Sequence, residues 1–222
     1  TIVFMSRPLP GGIKMNQLRI KAGKRAYEII KAGGFNFDSI STYFGPAVGP
    51  RWLISSGFDL TLINKNILGR KRIVHLIGSS AGAWRFAAWL QPAALDCYQK
   101  FLDAYIDVKF TKADTPATVL EKLIDIINSY VEDDALPFSL AHKKYRLTVI
   151  TSRTRNLVAS EKKWLQKTGL AAGFLLNFFS RNNIYRFADR VVFYQGAKPP
   201  AFCFHPQFRG SLVRINEINF KH

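Results

Sequence analysis

The sequence predicts an α/β fold in three layers, α/β/α, with a mainly parallel sheet covered by helices on both faces. Three observations predict it. Short apolar, β-branched runs alternate with stretches of helical spacing. Two of these runs, residues 73–77 and 190–194, hold a single charged or imidazole side chain among apolar ones, close to the pattern of strands buried on both faces. Two glycine-rich turns, at residues 45–50 and 78–82, join such runs directly to helices.

The elements follow in order. Residues 1–14 read as a flexible arm or translated leader. They carry Pro8, Pro10, Gly11 and Gly12, and Met15 offers a natural start. The folded domain is then residues 15–222. Residues 17–31 have helical spacing and end at Gly33-Gly34, a helix stop. Residues 39–44 are β-branched and aromatic and read as a strand. A glycine-proline loop follows, then a helix over residues 51–63 anchored by Trp52, Leu53 and Leu60. Residues 73–77 (Ile-Val-His-Leu-Ile) form a short apolar strand. After a tight turn, residues 83–90 read as a buried helix stopped by Pro92. Residues 93–141 are helical and acidic, with Pro116 at the first position of a helix. Residues 145–151 and 190–194 are further strands. Between them Ser160 caps a helix over residues 161–181. The remainder reads as irregular, and no internal repeat is visible.

Composition bounds the function. Hydrophobic residues are 48% and charged residues 21% of the 222, a globular balance. Cys97 and Cys203 are too few for a disulfide framework or a four-cysteine zinc site, and each reads as a small buried hydrophobe. No apolar run reaches the roughly 18 residues of a membrane span. No secretory leader pattern is present, so a cytoplasmic location is expected. The net charge is +17, concentrated in residues 142–190, which carry eleven basic and two acidic side chains. Such a balance favours anionic partners. No finger spacing or RNA-binding signature accompanies it, so a nucleic-acid-binding domain rests on charge alone. No metal, nucleotide or other cofactor motif is present, and none is expected.

The sharpest chemical signal is Gly78-Ser79-Ser80-Ala81-Gly82, a G-x-S-x-G turn between an apolar strand and an apolar helix. A sharp strand-to-helix turn crowds the backbone around the serine, so the glycines at Gly78 and Gly82 avoid collisions. The turn exposes the Ser80 hydroxyl at the start of a helix, whose positive end favours developing negative charge. The Ala81 N–H is one expected oxyanion donor. The loop Gly45-Pro46-Ala47-Val48-Gly49-Pro50 is the second signal. Gly45, Val48 and Gly49 are its expected oxyanion-hole residues, since the prolines have no N–H.

On these two motifs the chain resembles the patatin-like phospholipases, a group of serine acyl hydrolases. It looks closest to a bacterial branch with a Gly-Pro-x-x-Gly-Pro-x-Trp loop and a Gly-Ser-Ser-x-Gly-Ala-Trp-Arg elbow, which stand here at residues 45–52 and 78–85. The resemblance spans roughly residues 18–222. It implies a lipid acyl ester substrate, Ser80 as the nucleophile of a Ser–Asp dyad without histidine, and residues 45–50 as the oxyanion loop. The family's acid lies in an Asp-Gly motif that this sequence lacks. The expected explanations are a chain that stops before that motif, a substitute aspartate, or a lipid-binding scaffold that lost the dyad. Were the last strand missing, the sheet would keep an unpaired edge, predicting poor solubility or dimerisation.

The substitutes are few. Asp189 precedes the strand at residues 190–194. In a parallel sheet that position lies at the end opposite the nucleophile, so Asp189 reads rather as a partner of Arg186 or Arg190. Asp133 and Asp134 fall in an exposed acidic run. A Ser–His–Asp triad would need His205, because His75 reads as a sheet-face residue, His142 opens a basic stretch and His222 is terminal. Residues 164–179 form an apolar helix flanked by Lys162, Lys163 and Arg181. It reads as a core helix. A helix lying on an anionic membrane surface is the alternative.

Overall fold

The computed structural model describes residues 22–160, 162–179, 185 and 187–221. The chain divides into two compact units, Thr1–Ile40 and Ser41–His222. The arm predicted at residues 1–14 lies outside the described residues.

In the first unit, helix α1 spans Lys24–Gly33 and stops at Gly34, whose φ of 76° only glycine adopts without strain; its N–H closes onto the Ile30 carbonyl. A 3₁₀ turn follows at Phe37–Ser39.

The second unit is α/β. Its sheet has five strands in the order β1 (Thr42–Gly45), β2 (Val74–Gly78), β3 (Tyr145–Thr154), β4 (Ala188–Tyr194), β5 (Ser211–Arg214). Three of the four pairings are parallel, and β3–β4 is antiparallel. The sheet is therefore mainly parallel, as expected, with one reversal that the sequence did not announce. β5 falls in the stretch read as irregular. Its residues Ser-Leu-Val-Arg alternate intermediate and exposed, so it lacks the continuous apolar signature of β2.

Helices α2 (Ser56–Asn64), α3 (Ala81–Trp89), α4 (Ala94–Asp107), α5 (Pro116–Asn128) and α6 (Leu136–Leu140) follow the predicted order. The helix expected over residues 51–63 divides into a 3₁₀ segment, Gly49–Ser55, and α2. Thr115 caps α5 in a reciprocal pair with Thr118, and Pro116 stands at its first position as predicted.

The core forms where α3 lies along β1, β2 and β3, with α2 and α4 packed behind it. Eight of the nine α3 residues are buried, all apolar except Arg85, because the helix is enclosed by the sheet and its neighbouring helices. Tyr43 of β1 and Tyr145 of β3 meet Trp89 at ring-centroid distances of 5.8 and 5.6 Å. Trp52 stacks on Phe101 at 4.7 Å. Aromatic pairs at such distances add about 0.5–1.5 kcal/mol beyond the area they bury.

One buried polar network crosses this core. Asp59 of α2 is fully enclosed, and Arg85 of α3 is 3% exposed. The Asp59 carboxylate accepts from Tyr43 Oη at 2.7 Å, Tyr98 Oη at 2.6 Å and Arg85 Nη1 at 2.6 Å. Arg85 also donates to Ser55 Oγ at 2.7 Å and lies over the rings of Tyr43 and Phe86. Burial, then the Asp59 charge, push both tyrosine pKa values well above the ordinary phenol range. Four elements, β1, α2, α3 and α4, thus converge on one carboxylate.

Helix α7 (Lys163–Phe179) departs from expectation. It was read as a core helix, yet Trp164, Leu170, Phe174, Leu175, Phe178 and Phe179 are exposed. The helix turns its small residues inward instead: Gly169 is buried, and Gly173 faces the Phe187 ring so closely that a Cβ there would touch it at 3.3 Å. Among the described residues, no helix is long and apolar enough to cross a membrane.

Candidate active site

The elbow is defined by backbone geometry. Ser80 has φ 52° and ψ −132°, a left-handed conformation that a non-glycine residue holds only when its surroundings impose it. Those surroundings are glycines. A Cβ on Gly82 would stand 2.1 Å from the Gly45 carbonyl oxygen, and one on Gly78 would stand 2.5 Å from the Ala83 backbone. The end of β1 and the start of α3 therefore touch backbone to backbone. Hydrogen bonds clamp the turn: Ser79 N–H donates to Gly45 O at 3.0 Å, and Ala83 N–H to Ser80 O at 2.8 Å. Ser79 Oγ donates to Ile150 O at 2.8 Å, which ties the turn to β3. Ser79 is thus engaged with the sheet, while Ser80 is exposed.

The predicted oxyanion residues divide into two groups. Ala81 opens α3, where a helix leaves its first N–H groups without intrahelical partners. Val48 and Gly49 lie on the loop after β1, and Gly49 takes φ 53° in open space. Because Gly45 pairs in register with Gly78, this loop leaves the sheet beside the elbow. Gly45 itself is buried at the end of β1 and faces Gly82, so its visible contribution is close packing.

Ser80 stands between two cavities. One, of about 570 Å³, is lined by Ser79, Ser80, Thr151, Ser152, Tyr185, Asp189 and Arg190 with Ile150 and Ala188. The other, of about 220 Å³, is walled mainly by apolar side chains: Ala83, Ala87, Leu147, Val149, Phe193 and Ile215, with Trp84 beside them. Ser80 lines both, with polar residues more numerous around the first and apolar residues around the second.

Asp189 is the one carboxylate among the described residues lining either cavity. Its expected place at the opposite end of the sheet holds only for a parallel strand. β4 runs antiparallel to β3, with Asp189 in register with Arg153 and Ala188 with Thr154, so the start of β4 lies at the carboxyl ends of β2 and β3. That is the Ser80 end of the sheet. Among the described residues its ion-pair partner is not the expected Arg190, and Arg186 lies outside the described residues. The Asp189 carboxylate pairs with Arg155, beyond the end of β3.

The histidines stand apart. His75 faces across the ladder to Arg146, and burial, then that charge, lower its pKa. His142 lies near the start of β3, at the opposite end of the sheet. It stacks on Tyr145, and its Nδ1 accepts the N–H groups of Lys144 and Tyr145. Burial, then Lys144 and Arg146, hold its pKa down at about 4. His205 is exposed and lines neither cavity, so the arrangement offers no support for a triad through it. His222 lies outside the described residues. Asp133 pairs with Lys221 at 2.7 Å on the surface. Burial raises the pKa of both cysteine thiols, which leaves them poor nucleophiles. No group of three metal-ligating side chains gathers among the described residues.

Sequence reasoning missed Asp59. A single aspartate in a short helix gives no sign of burial, and only the convergence of Tyr43, Arg85 and Tyr98 from other elements reveals it. Comparison with known proteins finds no matching family model, no matching curated protein and no matching solved structure.

Proposed function

We propose that this chain is a serine acyl hydrolase of the patatin-like type, with that family's three-layer architecture, acting on lipid or other acyl esters. The observation that carries the reading is Ser80: a strained, exposed serine at a strand-to-helix turn whose flanking glycines admit no side chain. Strain of this kind persists where the fold over-determines it, and such positions cluster at active sites.

In the reaction we propose, Ser80 Oγ attacks the ester carbonyl carbon and its proton passes to the Asp189 carboxylate. The tetrahedral oxyanion is held by the Ala81 N–H and by N–H groups of the loop at Val48 and Gly49. Each such donor is worth about 10²–10³ in rate. Collapse expels the alcohol, which takes the proton back from Asp189. Water, deprotonated by the same carboxylate, then releases the acid and restores Ser80. The side chains of Ala83, Ala87, Leu147, Val149, Phe193 and Ile215 along the smaller cavity suit the acyl chain. Arg155 orients the carboxylate.

The test is turnover of p-nitrophenyl butyrate by the wild type, Ser80→Ala and Asp189→Asn. Ser80→Ala abolishes turnover. Asp189→Asn lowers it by about 10²–10⁴, while its stability changes by no more than about 1 kcal/mol, because the ion pair is partly exposed. Activity surviving Ser80→Ala contradicts the proposal. Full activity in Asp189→Asn removes Asp189 as the base.

A further inference from the structure

α7 is built inside out. Its inward stripe, Leu165, Gly169, Ala172, Gly173 and Asn177, is small or polar apart from one leucine, and packs toward Phe187 and the 3₁₀ helix Asn156–Ala159. Its outward stripe is where the large apolar side chains stand. Phe174, Phe178 and Phe179 are 77%, 85% and 83% exposed, and Trp164 marks the first turn. Folding left this face unburied, and an apolar face of that size calls for an occupant.

Charge selects the occupant. Residues 153–190, which hold α7 and its two connections, carry eight basic and two acidic side chains. Lys167 lies within the apolar stripe, and Lys162 stands just before the helix; both are exposed. A second copy would bring the same positive field against itself, on a chain already at +17. An anionic bilayer meets both features. Its acyl boundary takes the aromatic rings, and its headgroups take the lysines. Nucleic acid would match the charge and leave the rings unmatched. At 17 residues the helix is about 26 Å long, and it is not apolar enough to cross a membrane.

Its place in the fold adds the purpose. The chain leaves β3 for α7 and returns to β4 at the Ser80 end of the sheet. Ser152 before the excursion and Tyr185, Asp189 and Arg190 after it wall the same cavity as Ser80. We propose that α7 lies in the surface of an anionic phospholipid bilayer and seats the mouth of the Ser80 cavity on it. The docking rests on α7 alone; its purpose, delivery of lipid to Ser80, rests on the hydrolase reading.

The test is sedimentation of the full chain with phosphatidylcholine vesicles, with and without phosphatidylserine, together with quenching of tryptophan emission by lipids brominated on the acyl chain. Wild type and Ser80→Ala bind equally, at least about tenfold tighter when phosphatidylserine is present. Emission is quenched in wild type, and that quenching is lost in Trp164→Phe. The combined Phe174→Ser, Phe178→Ser, Phe179→Ser variant loses more than about tenfold in affinity. Its circular dichroism and melting stay as wild type, because those rings have little to unpack. Three results overturn the proposal: no binding to anionic vesicles, binding that survives the triple serine variant, or Trp164 left unquenched. Self-association that the triple variant abolishes, without vesicle binding, also overturns it and assigns the face to a second copy. Because Ser80→Ala binds in this assay, failure of docking and failure of the hydrolase reading are read separately.

Discussion

Asp59→Ala tests how the elbow is held. The perturbation removes the carboxylate that accepts from Arg85, Tyr43 and Tyr98 at 2.6–2.7 Å. Arg85 is then a buried cation whose remaining contacts are Ser55 Oγ and the faces of Tyr43 and Phe86. Breaking a buried pair by removing one partner costs about 3–5 kcal/mol, because the other charge is left uncompensated. The two orphaned tyrosine hydroxyls add to that, at about 1–3 kcal/mol each if no water reaches them. Total domain stability is typically about 5–15 kcal/mol, so Asp59→Ala leaves a marginal protein. Arg85→Met removes the cation and leaves the carboxylate with its two tyrosine donors. The double variant Asp59→Leu, Arg85→Met removes both charges and keeps bulk in the core. Exchanging a buried pair for apolar residues is often neutral, so the double variant loses less than Asp59→Ala. The assay is urea unfolding of all three beside wild type, with Asp59→Leu added as the single variant that closes the cycle and yields the coupling energy. A loss below about 1 kcal/mol for Asp59→Ala, or a double variant weaker than the single, refutes the reasoning.

Two further changes probe neighbouring features. Gly82→Ala places a Cβ 2.1 Å from the Gly45 carbonyl oxygen, so β1 and α3 must part. Urea unfolding shows a loss of at least about 1–3 kcal/mol, and turnover of p-nitrophenyl butyrate falls with it; wild-type behaviour would mean that the turn is looser than described. His142 has its pKa lowered to about 4 in the fold against the ordinary 6.5. The unfolded chain therefore binds the extra proton, and the stability His142 contributes is present above about pH 6.5 and lost as pH falls toward 4. Discounted for a half-buried ring, the loss is about 1–2 kcal/mol. Unfolding at pH 7 and pH 4.5, with His142→Asn as control, reads it; an unchanged slope in the control assigns the pH dependence elsewhere.

What the sequence made legible was local chemistry. The elbow could be read because its conformation is set by which residues lack a Cβ, and Gly78 and Gly82 carry that information within five positions. β2 and β3 could be read because both are rich in β-branched and apolar residues between turn signals. Two of the unread features depend on partners distant in the chain. The reversal at β4 follows from the path through α7, and it moves Asp189 from the wrong end of the sheet to the Ser80 cavity. Asp59 gave no signal because its three donors come from β1, α3 and α4. α7 looked like a core helix because its large residues are apolar; the cue lay in Gly169, Ala172 and Gly173, spaced to face inward with little to bury. β5 was too short and too exposed to leave an apolar pattern.

The central claim is that Ser80 is an activated nucleophile. It is tested most directly by reacting the folded chain with a fluorophosphonate and mapping the adduct by mass spectrometry of its peptides. The account predicts one adduct, on Ser80, absent from Ser80→Ala. An adduct on Ser79 instead, or none on a chain shown to be folded, contradicts it.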